Sequence, residues 1–216
     1  MKSVDKITYR ITYTKGDEVK YISHLDFLRC INRAFKRAKL PVRYSQGFNP
    51  HIVQNIALPC PVGVMSKCEM VDIDMTEKVE TSLICKRLGE SMPRGIEILG
   101  AKLKDENDRD FFDIDSASYE IDFCTASPID ASAFDKEESF MIEKKSKRGM
   151  KEVNIKDFVK EMHTSKVSDD TYHIDAVLCA GATLNLKADL LLSAMSNYYG
   201  VGFKDIKIIR KTIMYK

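Results

Sequence analysis

No apolar run in this chain approaches membrane-spanning length, and Lys2, Asp5, Lys6 and Arg10 break up its start. Neither a membrane span nor a secretory leader is expected, and a cytoplasmic protein is. Six cysteines are present, Cys30, Cys60, Cys68, Cys85, Cys124 and Cys179, but there is no C-x-x-C pair and no histidine at zinc-finger spacing. Cysteines scattered this widely read as reduced, half-buried small hydrophobes, not as a disulfide framework or a metal site. A GKS or GKT phosphate loop is missing. Gly200-Val201-Gly202 lacks a third glycine and precedes a strand pattern, the wrong setting for a dinucleotide fingerprint. There is no HExxH, no nucleophile elbow and no C-x-x-x-C-x-x-C cluster. These absences argue against a self-contained hydrolytic, redox or nucleotide-driven enzyme. No catalytic residue, metal or cofactor is therefore assigned.

The last absence is local. No acid occurs between Asp26 and Glu69, whereas Arg29, Arg33, Lys36, Arg37, Lys39, Arg43 and Lys67 all fall there. The net charge of the 216-residue chain is only +2, so any attraction for polyanions must come from local arrangement.

What is present reads as two similar α+β halves. Ile7, Tyr9, Ile11 and Tyr13 alternate with polar residues, which is a half-buried strand. Ser23 offers an N-cap for a helix with Leu25, Leu28, Ile31, Phe35 and Ala38 along one side, closed by Pro41. Val42–Tyr44 and Val53–Leu58 look extended around a Gln46–His51 turn. Cys68–Met75 alternates again. Thr76 caps a second helix, and Ile96–Leu103 is a final strand. The order is strand, helix, strand, strand, helix, strand. That predicts a ferredoxin-like, split βαβ unit with an antiparallel sheet over residues 1–104. The acidic run Asp105–Asp110 reads as the boundary. Residues 117–216 predict a second ferredoxin-like unit. It has strands at Tyr119–Phe123, Phe140–Lys145, Tyr172–Leu178 and Ile206–Tyr215, an exposed turn at Lys147-Arg148-Gly149, and helices after Pro128, at Val153–His163 and at Lys187–Tyr199.

Arg29, Arg33 and Arg37 are spaced four apart, so they form one stripe on the first helix. With Arg43 they are the candidate phosphate contacts, because guanidinium forks match phosphate oxygens. Ser23, His24, Gln46, Phe48, Asn49 and His51 are the candidate ligand pocket. The stripe is expected to share a side with the Gln46–His51 loop. An anion is expected at the start of the helix, beside Ser23 and His24.

Tyr21-Ile-Ser-His-Leu-Asp-Phe-Leu-Arg29, Arg33-Ala34, Arg37-Ala38, Leu40-Pro41, Tyr44-Ser-Gln-Gly-Phe-Asn-Pro-His51, Pro61-Val-Gly63, Ser66 and Glu69 resemble the radical-SAM-linked bacterial domain family of unknown function. The resemblance is strong to about Met75 and weaker beyond. That family's motif often has a proline after the second histidine, where this chain has Ile52. The resemblance implies the stand-alone form of a domain elsewhere fused to, or encoded beside, a cobalamin-binding radical SAM protein. It implies that protein as partner and assigns no reaction. Together with the acid-free basic segment it suggests a noncatalytic accessory module that binds RNA or presents substrate. Two other readings are a metal-independent RNA-processing enzyme using His24 and His51, and a protein-interaction domain without nucleic acid.

Overall fold

The computed structural model describes residues 7–146 and 149–216. The turn expected at Lys147 and Arg148 thus lies outside the described residues. The protein is mixed α+β, with four α-helices among the described residues and mostly antiparallel sheet. It divides into two units, Met1–Phe111 and Phe112–Lys216.

The first unit runs β1 (Ile7–Lys15), α1 (His24–Arg37), β2 (Gln54–Ile56), β3 (Val64–Met75), α2 (Thr81–Ser91) and β4 (Ile98–Leu103). Its strands lie in the order β4-β1-β3-β2, every neighbouring pair antiparallel. Alternation puts Tyr9, Ile11, Tyr13, Val71, Ile73 and Met75 in the core. Helix α1 covers them with Phe27, Ile31, Ala34, Phe35 and Ala38. The apolar stripe thus sits to one side of the one expected. Leu25 is exposed and Leu28 half-buried, because Phe27 takes the inward position and stacks on Tyr13 at 5.5 Å. Each large side chain buried here is worth about 1.5–3 kcal/mol.

The ends of α1 are defined by their bonding. The Ser23 hydroxyl accepts from the Asp26 N–H at 3.2 Å, a cap worth about 1 kcal/mol. At the other end the Lys39 and Leu40 N–H groups bond back to the Lys36 and Phe35 carbonyls. That Schellman closure puts Lys39 at φ 50°, where glycine is usual. Helix α2 starts a turn later than expected. Thr76 does not cap it; its hydroxyl bonds to the Pro41 carbonyl instead.

Polar residues of β1 and β3 occupy the opposite sheet face. Arg10 makes a bidentate pair with Asp72 at 2.7 and 2.8 Å and lies 4.3 Å over the Phe111 ring. Lys104 also reaches Asp72, at 3.1 Å. The acidic stretch 105–110 is tied to its own unit by Lys102 on Asp108 and by Lys104, which reaches Asp110 at 3.8 Å.

The second unit runs β5 (Ile114–Thr125), α3 (Ala133–Lys136), β6 (Met141–Ser146), β7 (Gly149–Asn154), β8 (Val159–Lys166), β9 (Thr171–Cys179), α4 (Ala188–Tyr199) and β10 (Phe203–Tyr215). Its main strands lie in the antiparallel order β10-β5-β9-β8, with β6 and β7 as a separate hairpin. The helix expected at Val153–His163 is absent. Asn154 instead caps a single 3₁₀ turn at Ile155–Phe158, and β8 follows. Ile155, Phe158, Val159 and Met162 mimic a helical stripe. The β9 edge supplies ladder partners that outweigh that local preference.

Candidate nucleic-acid interface

The arginine stripe lines an open groove of about 440 Å³, formed by Asp26, Arg29, Cys30, Arg33, Arg37 and Pro93. Helical spacing turns all three guanidinium groups to one flank of α1. Arg29 pairs with Asp26 at 2.7 Å, both side chains well exposed. Such a pair holds its partner weakly, by about 0–1 kcal/mol. Arg37 donates to the Ser91 carbonyl at 2.5 Å, the last residue of α2, where the helix dipole is negative. Arg33 makes no hydrogen bond or ion pair among the described residues. Burial pushes the Cys30 thiol up, and the positive Arg37 and Arg33 only partly oppose that.

The segments on either side of the Gln46–His51 loop meet α1 next to the stripe. Gln54 donates to Asn32 at 2.9 Å, and Lys36 lies 5.9 Å over the Tyr44 ring. At about 3.6 residues per turn Lys36 falls about 20° from Arg29 and about 60° from Arg33 around α1, so the hairpin base at Tyr44 adjoins the outward face that carries the stripe, while none of Gln46–His51 lines the groove. Arg43, on the extended segment before the loop, is not among the residues that line the groove.

The loop is a clipped hairpin. Ser45 and His51 exchange backbone bonds with each other's carbonyl and hydroxyl, at 2.8 and 3.0 Å, and the Ser45 hydroxyl also meets His51 Nδ1 at 2.9 Å. Tyr44 bridges to Ile52 beneath them. Gly47 takes φ 120°, a conformation that side chains resist. Gln46, Asn49 and His51 are exposed, and Phe48 is 105% exposed.

The loop residues expected beside His24 do not line the cavity at that residue. His24, itself exposed, lines a small cavity of about 10 Å³ with Tyr13, Lys15, Ile22, Phe27, Ile56, Pro59, Cys60 and Glu69, and Gln46, Asn49 and His51 are not among its walls. That volume holds about one water and no nucleotide. Ser23 is engaged as the cap, and it also donates to the Asp26 carboxylate at 2.8 Å. That bond, with help from Arg29, lowers the Asp26 pKa. A carboxylate thus already sits where an anion was expected at the helix start.

Residues 8–188 match the family described as an uncharacterized protein conserved in bacteria, DUF2344. The chain belongs to that family. No curated protein matches this DUF2344 chain. Two solved structures resemble it weakly. One is an unknown protein from Galdieria sulphuraria, 12% identical, covering 95% of this chain and 99% of that one, with a TM-score of 0.25. The other is a candidate glycine cleavage system transcriptional repressor, 11% identical over the same shares of 95% and 99%, with a TM-score of 0.24. Overlap at those TM-scores is too small to bear on the fold.

One residue of this DUF2344 chain escaped the sequence reading. Lys15 is 3% exposed, and its ammonium donates to the Lys20 and Pro61 carbonyls, both at 3.0 Å. Glu69, also 3% exposed, lines the same cavity. The chain at Lys20 and at Pro61 is thereby fastened around a buried lysine. The signal was available: Lys15 falls in phase with inward-facing Tyr9, Ile11 and Tyr13.

Proposed function

We propose that this protein is a noncatalytic accessory module that binds RNA through unit one and presents it to a partner radical SAM enzyme. The groove of three guanidinium groups carries the RNA half of this reading. Its lining includes only one carboxylate, Asp26, in a stretch otherwise free of acid up to Glu69. Phosphate chains seek such a surface, and guanidinium is its best-fitting donor. The sheet face bearing Asp72 and Asp74 opens on an acidic cleft of about 440 Å³ that also includes Asp105, Glu106 and Asp110, which repels phosphate. The partner half rests on the motif resemblance. Exposed Tyr21, Leu25 and Val62 offer apolar area for such a contact, at 73%, 63% and 57% exposure. The strand order of each unit, with its crossover helices, we read as the ferredoxin-like split βαβ arrangement.

The RNA-processing reading finds less support. His51 does not line the cavity that His24 borders, and its Nδ1 is engaged by the Ser45 hydroxyl. The test is short-RNA binding across a salt series. Three phosphate contacts give a log–log slope of about −2 to −3. Changing Arg33 and Arg37 together to Gln flattens that slope by about 1.5 with the fold intact. A slope unchanged in the double variant refutes phosphate binding at the groove.

A further inference from the structure

We infer that the RNA taken by this surface is single-stranded, and that the Gln46–Pro50 hairpin tip captures an unpaired base on Phe48. The inference rests on the RNA-binding reading above and narrows its substrate class. Phe48 is 105% exposed, so the fold gains nothing from its ring. Yet the loop is built to hold it out. The Ser45–His51 bonds and the Tyr44–Ile52 bridge close its base, and Gly47 at φ 120° sets its bend. Tyr44 is 38% exposed on the same hairpin, with the Lys36 ammonium over its ring.

An outward aromatic ring on such a support can anchor in a protein pocket or stack on a base. The surroundings favour the base. The hairpin belongs to the segment without acids, and Lys36, Lys39 and Arg43 flank it. Gln46, Asn49 and His51 beside the ring are exposed donors and acceptors suited to base edges. A duplex keeps its bases stacked inside and offers Phe48 no free face, whereas a single strand does. The nearness of stripe and hairpin fits as well. Lys36, which meets Tyr44 at the hairpin base, is one helical turn from Arg33, and such neighbours are about 5–6 Å apart. A single strand can hold its phosphates on the stripe and lay a base on the ring beside it.

The test uses the full chain, a 12-nucleotide RNA and the duplex of the same sequence. Phe48→Ala is expected to weaken single-strand binding by roughly 5- to 150-fold, the range for one stacked base, and to leave duplex binding and the salt slope unchanged. The chain has no tryptophan, so Phe48→Trp supplies a single reporter. Its fluorescence is expected to be quenched by the single strand and not by the duplex. Unchanged single-strand affinity in Phe48→Ala, with affinity lost in the Arg33/Arg37 variant, overturns the base capture and leaves RNA binding standing. Absence of binding to either RNA in the wild type overturns both. Loss of partner-protein capture in Phe48→Ala with RNA affinity intact makes Phe48 a protein anchor and overturns the inference.

Discussion

Tyr9 is buried on β1, and its hydroxyl donates to the Val79 carbonyl and accepts from the Val79 N–H, at 2.8 and 2.9 Å. Tyr172 in the second unit uses its hydroxyl on Ile129 in the same way. Each clips a loop to the sheet. Tyr9→Phe leaves two backbone groups without their partner, so a loss of about 1–2 kcal/mol is expected, read as a lower denaturant midpoint at constant m-value. Lys39 gives the opposite sign. Its φ of 50° strains any side chain at the close of α1. Lys39→Gly is expected to stabilise by about 0.5–1 kcal/mol on the same measurement, the relief exceeding the entropy that glycine loses. His173 adds a pH dependence. The Asp122 carboxylate at 2.6 Å, with Asp175 at 3.5 Å, raises its pKa. A raised folded pKa means the stabilisation is complete below the unfolded value, about 6.5, and fades as pH rises through the folded one. Replacing His173 with Gln is therefore expected to destabilise at pH 6 and to have little effect at pH 9, and an equal loss at both refutes the clamp.

Among the elements, most strands were legible because one face of each is buried and period-two alternation survives. β1, β3, β5 and β9 all show it. Two kinds of feature were not legible. One is where local pattern and tertiary demand disagree. Val153–His163 carries a helical stripe but becomes a hairpin arm, a turn and an edge strand, and Asp135 bonds both the N–H and the hydroxyl of Thr164 on that edge. The other is rotation about a helix axis. Leu25 and Phe27 fit α1 almost equally well as inward residues by hydrophobicity. Only the stacking partner Tyr13 decides for Phe27, and that choice fixes which flank carries Arg29, Arg33 and Arg37. The stripe itself followed from spacing alone. How the hairpin is held was not legible, because its flanking residues Gln54, Tyr44 and Arg43 are fixed by Asn32, Lys36 and the Asp74 carbonyl, long-range partners that spacing does not encode.

For the whole molecule, the net charge of +2 is too small to drive polyanion binding by itself. Charges are screened beyond a Debye length of about 8 Å at physiological salt, so what matters is how many cations lie within that distance of one another. The groove on α1 gathers three guanidinium groups. Lys204 and Lys207 on β10 are exposed cations outside that groove. This separates local arrangement from bulk charge in one comparison. Arg33→Gln with Arg37→Gln, and Lys204→Gln with Lys207→Gln, each lower the net charge by two. If the groove is the polyanion site, the first pair elutes from immobilised heparin at distinctly lower salt than the wild type. The second pair elutes with the wild type, because neither lysine belongs to the groove and the long-range field of a nearly neutral protein is weak. Equal shifts for the two pairs would mean that the chain responds to total charge, and the groove would lose its claim to be the RNA-binding surface.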